Sequence, residues 1–393
     1  MCQHQRHEES VAGSGSAEAK SFPFGVYVHF PFCLDKCGYC DFASLACRPE
    51  RIPHRRYAQA VLRELGLRGA AYASGELRSV YFGGGTPSLW RSAELRRVLD
   101  AVRAHFRPAA DIEVTVEVNP ATLGAEGFEQ LLDAGVGRVS LGVQSLDDEM
   151  LRLLGRIHDV AAARRAVRDA RAAGVQNLSL DLMAGLPGQS LAHHLRQLDE
   201  LLELAPEHVS VYGLSLSRQA PLGRAGFAPA PAELQADMLE AGAEALERRG
   251  LAQYEVSNFA PSERRSRHNG LVWAGWPYLG LGASAHSMWP EGSSTLRQAN
   301  PALAGYLRQA APTVERVEEP TSRHEVLFLG LRTVDGVQRA SYRRRFGADL
   351  LDHFGPGLRV LEEGGWITVR PERVAPTRRG LWLADELVLR LMT

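Results

Sequence analysis

Cys33, Cys37 and Cys40 stand within eight residues, in a Cys-x3-Cys-x2-Cys run that also holds Tyr39; the chain's other cysteines are Cys2 and Cys47. Three clustered thiols cannot pair among themselves, so the spacing argues for a metal centre rather than a disulfide framework. A structural zinc ion would need a fourth ligand, most simply His29 or Cys47. A [4Fe–4S] cluster on three thiolates instead leaves one iron open to an outside ligand. S-adenosylmethionine can chelate such an iron through its amino and carboxylate groups. One electron from the cluster then cleaves the sulfonium and releases a 5′-deoxyadenosyl radical. The cofactor carries that chemistry, and the protein has to orient and shield it.

Those thiols follow a short β-type run, Val26 to Phe30, and the pattern repeats. Runs at 79–82, 112–118, 139–143, 178–183 and 209–214 alternate with amphipathic stretches at 53–68, 92–105, 126–134, 160–173 and 191–204. Strand–helix alternation makes parallel βαβ units. Six of them suit an α/β fold built as a partial (β/α)6 barrel, with an open doubly wound sheet as the alternative, and chemistry then belongs on the loops after the strands. Gly83-Gly84-Gly85-Thr86-Pro87, Glu117-Val118-Asn119-Pro120, Gly142-Val143-Gln144-Ser145 and the segment Asp181 to Gly188 all fall there. The expected division is a disordered leader at 1–21, the barrel at 22–252, an α+β region at 253–320 and a small winged-helix-like module at 321–393.

Composition is that of a folded protein, 45% hydrophobic and 23% charged, and a net charge of −1 gives no general attraction to nucleic acid or anionic lipid. No run of about 18 apolar residues is present, so no membrane-spanning helix is expected. The leader lacks the apolar core of a secretory signal, which points to the cytoplasm. Arg343-Arg344-Arg345 in the last module could suggest DNA binding. Twelve arginines against nine acidic residues over 321–393 read better as a solvated face.

The run Tyr27-Val28-His29-Phe30-Pro31-Phe32-Cys33 with Cys37-Gly38-Tyr39-Cys40 resembles the radical S-adenosylmethionine superfamily. The glycine loop, Gly142 to Ser145 and Asp181 to Gln189 narrow the resemblance. The branch is the one containing oxygen-independent coproporphyrinogen III oxidase and its relative, a bacterial heme chaperone, and the likeness spans roughly residues 24–390. It implies a [4Fe–4S] cluster on Cys33, Cys37 and Cys40. It also implies S-adenosylmethionine beside Tyr27, Gly84, Gly85, Thr86 and Glu117, with Tyr39 near the adenine. Gln144, Arg156 and Asp181 match positions lining a second S-adenosylmethionine in the oxidase, and Ser215 aligns loosely with them. Read from their types alone, the glycines could be a tight turn, Tyr39 loop packing, Asp181 a helix cap, and Arg156 with His158 a solvated helix end.

The chaperones carry a His-Asn-x-x-Tyr-Trp segment implicated in heme binding, written here His268-Asn269-Gly270-Leu271-Val272-Trp273, so that Val272 replaces the tyrosine. Imidazole can ligate heme iron and an indole can cover a porphyrin, so His268 is the candidate ligand, with a satisfied structural histidine as the alternative. In the oxidase a fourth cysteine stands two residues beyond the third, where this chain has Phe42. The resemblance therefore implies a chaperone that binds heme and passes it to acceptor hemoproteins, respiratory ones among them, with a separate electron donor for the cluster. The alternative is the oxidase, making protoporphyrinogen IX in porphyrin biosynthesis.

Overall fold

The computed structural model describes residues 22–218 and 220–392. The expected leader and Cys2 lie outside the described residues. Six strands run parallel in sequence order: β1 Pro23–Phe30, β2 Glu76–Gly84, β3 Arg107–Val118, β4 Arg138–Gln144, β5 Leu178–Ala184 and β6 His208–Gly213. The crossovers carry helices α1 His54–Arg68, α2 Ser92–His105, α3 Ala125–Asp133, α4 Val160–Ala173 and α5 Leu191–Leu202. Cap chemistry sets some of these ends. Asp159 accepts from the Ala162 amide at 2.6 Å to start α4, and the Ser190 side chain does the same for the His193 amide at the start of α5.

Alternation along the strands decides which way each face looks. Val26, Val28, Val80, Phe82, Val116, Leu141, Leu180 and Val209 turn outward under the helices and form the main core. Truncating one of them, such as Leu141 to alanine, costs about 2–5 kcal/mol in lost burial and cavity formation. The positions between them turn to the concave side and are largely polar: Tyr27, Ser79, Tyr81, Thr115, Glu117, Arg138, Ser140, Ser179, Asp181, His208, Ser210 and Tyr212.

The sheet stays open, and the chain adds strands at both edges. Beyond β6 lies antiparallel β7 Asn258–Phe259. On the other side β8 Tyr278–Leu281 pairs in parallel with β1, followed by antiparallel β9 His286–Glu291, β10 Ser294–Ala299 and β11 Thr313–Val317. Eleven strands thus share one mixed sheet. Between β7 and β8, after α6 Ala232–Arg248, helix α7 Arg267–Trp273 crosses the amino-terminal ends of β1 and β2.

The last segment has its own core of Leu327, Tyr342, Leu350, Leu358 and Ile367. Helices Glu319–Gly330, Arg339–Phe346 and Leu350–Glu363 stand with the hairpin Ile367–Val369/Arg373–Pro376 in a winged-helix arrangement. All three of its consecutive arginines are engaged: Arg343 pairs with Asp349, Arg344 donates to Ser341 Oγ at 2.8 Å, and Arg345 donates to Thr295 Oγ1 on β10 and lies over the Phe346 ring. The module meets the barrel base where the Val256 amide donates to the Arg332 carbonyl at 3.0 Å and the Val334 amide to the Tyr254 carbonyl at 3.1 Å.

Candidate functional site

The cysteine loop is slung across the carboxyl ends of the strands by backbone bonds. The Gly38 amide donates to the Leu154 carbonyl, and the Leu222 amide donates to the Gly38 carbonyl, both at 2.9 Å. The glycine loop is tied to it by the Gly85 amide on the Phe30 carbonyl (2.8 Å) and the Thr86 amide on the Phe32 carbonyl (2.9 Å). Thr86 Oγ1 donates to Cys33 Sγ at 3.4 Å, and Arg156 Nη1 points at Cys37 Sγ from 3.5 Å. Both donors would stabilise thiolate character. Burial pushes the Cys33 and Cys40 thiols upward.

This donor set fits an iron–sulfur cluster better than zinc. His29 is committed at both ring nitrogens, to the Tyr27 hydroxyl at 3.1 Å and the Ala43 carbonyl at 3.0 Å. Cys47 Sγ lies by the Arg48 carbonyl, and its amide is bonded to the Cys33 carbonyl. Neither is placed as a fourth ligand. Among the described residues no three His, Cys, Asp or Glu side chains stand ready to share a single ion, so a cluster's own iron–sulfur frame would set the final spacing of the thiolates.

Gly84 has φ +114°, and a Cβ there would lie 2.5 Å from the His29 ring; a Cβ on Gly85 would lie 2.8 Å from the Phe32 carbonyl oxygen. The close approach that these glycines permit is to the protein's own loop, so both the turn and the site depend on them. Beside them the Glu117 carboxylate accepts from the Tyr81 hydroxyl at 2.8 Å and the Gly84 amide at 3.1 Å. Burial, opposed by Tyr81 and reinforced by the charge of Asp181, pushes its pKa up to about 7. A ligand ammonium there would pull that value back down.

Arg156 joins several expected residues. Its Nη2 donates to the Gly142 carbonyl at 2.6 Å, and it also bonds the Tyr39 hydroxyl beside Cys37. His158 is buried, with Nε2 3.1 Å from the Val143 carbonyl, so this turn is no solvated helix end. Gln144 sits next to Arg156 across Gly142, in a left-handed conformation with φ 67°. Tyr39 also packs on Leu154, Met183, Leu186, Leu214 and Leu222, so it holds the loop as well as facing the rim. Ser215 is exposed just past β6.

Two placements differ from expectation. Asp181 is neither a helix cap nor at the strand end. It lies mid-strand on the concave face and accepts from Ser140, Ser179 and Ser210, with burial pushing its carboxyl up. His268 and Trp273 do not share a face. His268, 6% exposed, bonds Ser79 Oγ through Nδ1 at 2.9 Å and stacks on Tyr81 with ring centroids 5.0 Å apart. Burial and the charge of Arg138 lower its pKa to about 4. Trp273 instead bonds Glu255 and lies 5.9 Å from the Arg332 guanidinium, towards the C-terminal module.

The sequence reading also passed over a floor to the barrel. Ser179 Oγ lies 2.8 Å from His208 Nδ1, His208 Nε2 lies 2.8 Å from the Tyr254 hydroxyl, and that hydroxyl accepts from the Ser266 amide, the N-cap of α7. A chain of buried polar groups thus runs from Asp181 to the helix that carries His268. The available signal was the polar residue at every second position of the strands.

The comparisons with known proteins agree with this architecture. Residues 27–203 match the Radical SAM superfamily and residues 318–383 match the HemN C-terminal domain. The fold is similar to that of coproporphyrinogen III oxidase (HemN) from Escherichia coli, with a TM-score of 0.78 at 22% identity over 96% of this chain and 92% of that one. Fold and rim together define a radical SAM protein with a HemN-type C-terminal domain, a class that uses a [4Fe–4S] cluster and S-adenosylmethionine. The chain is 37% identical to heme chaperone HemW of Escherichia coli (strain K12) over 305 residues, which is 76% of this chain and 80% of that relative. It is 35% identical to the mitochondrial radical S-adenosyl methionine domain-containing protein 1 of Bos taurus over 426 residues, 100% of this chain and 92% of that one. The chain belongs to the HemW family of radical SAM proteins. Among the described residues no helix is long and apolar enough to cross a membrane.

Proposed function

We propose that this protein is a heme chaperone: it binds heme and transfers it to acceptor hemoproteins, while holding a [4Fe–4S] cluster on Cys33, Cys37 and Cys40. The observation that carries the reading is the 37% identity with a relative named as a heme chaperone, against 22% with the oxidase, which shares the fold. Phe42 supports it. The ring is 65% exposed two residues beyond the third cluster cysteine, where the oxidase pattern has another thiol.

When bound, the cluster supplies an open iron to chelate S-adenosylmethionine and one electron to cleave it. The chain's own residues do the rest. Thr86 and Arg156 donate to sulfurs and so hold Cys33 and Cys37 in place. Glu117, fixed by Tyr81 and Gly84, presents a carboxylate to the ligand's ammonium, with Gly85 and Tyr27 closing that end. Tyr39 offers a face to the adenine. Gln144, Arg156, Asp181 and Ser215 lie further along the same rim and interior as the residues for a second molecule. His268 and Trp273 anchor opposite sides of α7 and act on heme by shaping that helix, with no common surface between them.

The test is transfer. Protein loaded with one heme is mixed with an apo-hemoprotein, and the acceptor's Soret band is followed. Appearance of holo-acceptor faster than from free heme supports the proposal; no stable heme complex at all contradicts it.

A further inference from the structure

Arg138 begins β4 on the concave face and is 3% exposed, yet its side chain makes no hydrogen bond and no ion pair among the described residues, and its Nε is buried without a partner. A guanidinium carries five donors in a fixed fork, and burying such a charge is costly unless an acceptor meets it. The acids within electrostatic range are Glu117 and Asp181, which would explain a structural counter-charge. Both are committed elsewhere: Glu117 to Tyr81 and Gly84, Asp181 to three serines. Arg138 therefore balances them at a distance while its own fork is left open.

The space it faces is open too. Tyr212 lies on the concave face of β6 and is 41% exposed, and Tyr27, Tyr81, Glu117 and Asp181 are only half-buried. The barrel interior is an accessible lumen, entered from the rim and closed below by His268. An unanswered cation near the floor of such a lumen is arranged for an anion that comes with a ligand, and the fork matches a carboxylate.

We propose that Arg138 is the receptor for a carboxylate of the molecule that occupies the barrel lumen. Two ligands bring that chemistry: heme through a propionate, and a second S-adenosylmethionine whose carboxylate is not spent on iron. The heme arm rests on the function proposed above; the other does not.

The experiment uses cluster-reconstituted full-length protein, Arg138→Gln and Arg138→Lys. The first arm compares binding of heme with heme dimethyl ester, which lacks the propionate charges. The second counts equivalents of S-adenosylmethionine by calorimetry. Expected is a roughly tenfold or greater preference of the wild type for the acid that Arg138→Gln abolishes and Arg138→Lys partly restores, or loss of a second S-adenosylmethionine equivalent in Arg138→Gln. Whichever arm responds identifies the source of the carboxylate. If the glutamine variant does not fold, the wild-type acid preference and the lysine variant decide. The proposal is overturned if folded variants change neither quantity, or if the wild type shows neither an acid preference nor a second equivalent. Failure of the wild type to bind heme counts against the chaperone reading alone and leaves the second arm standing.

Discussion

The two ends of the barrel are built by different means. At the rim, backbone holds backbone: amides of Gly38, Gly85 and Thr86 fix two glycine-containing loops, and the reactive side chains ride on them. At the floor, side chain holds side chain: His268 on Ser79, His208 between Ser179 and Tyr254, and Arg138 unanswered among them. A rim of this kind tolerates change in side chains that face no ligand but not in its glycines. A floor of this kind tolerates conservative change but transmits charge. The difference separates where the cofactor chemistry sits from where a bound molecule's polar groups are read.

The largest effect should come from the thiols. Serine at Cys33, Cys37 or Cys40 should abolish most of the cluster, while Cys47→Ser should retain it. Iron and sulfide analysis of anaerobically reconstituted variants checks this, and full cluster content in Cys37→Ser would sink the assignment. Next is the backbone of the rim. Gly84→Val imposes a side chain at φ +114° against the His29 ring, at a cost of about 2–4 kcal/mol in strain and overpacking. It should lower the melting temperature and weaken S-adenosylmethionine binding together. Weakened binding with unchanged stability would mean that the glycine serves the ligand alone.

At the floor, His268 is held neutral, with a pKa of about 4 against an unfolded value near 6.5. The unfolded chain then binds more protons between those two values, so the stability from this group is present above about pH 6.5 and is lost as pH falls towards 4. One such histidine contributes up to ~1.4 kcal/mol per pH unit in that window. His268→Ala should therefore lose stability at pH 7 and show a shallower decline on acidification, read from urea midpoints. An unchanged slope would contradict its burial as a neutral group. The smallest effect belongs to Tyr254→Phe, which removes one link between His208 and α7. A loss of about 1 kcal/mol is expected, with cluster content unchanged and hydrogen exchange faster at the Ser266 amide.

Much of the rim was legible in the sequence because its motifs are contiguous and each ends a strand. The six strands and five helices were legible from their periods. The sheet edges were not, since nothing local says that Tyr278–Leu281 must lie beside β1; pairing of distant segments is a tertiary outcome. His268 and Trp273 read as one segment, yet five residues of helix turn them about 140° apart. That rotation is why one faces the barrel and the other Glu255 and Arg332. Arg138 carries no motif at all. It reads as a charge at a strand start, and only the fold shows that its partners are taken.

As proposed, a HemN-like barrel here handles heme without performing the oxidase reaction. Cluster-loaded protein should be given coproporphyrinogen III, reductant and S-adenosylmethionine under anaerobic conditions, with heme binding measured on the same sample. The account predicts a stable Soret-active heme complex and no sustained release of carbon dioxide. Continuing turnover to the divinyl product would contradict it.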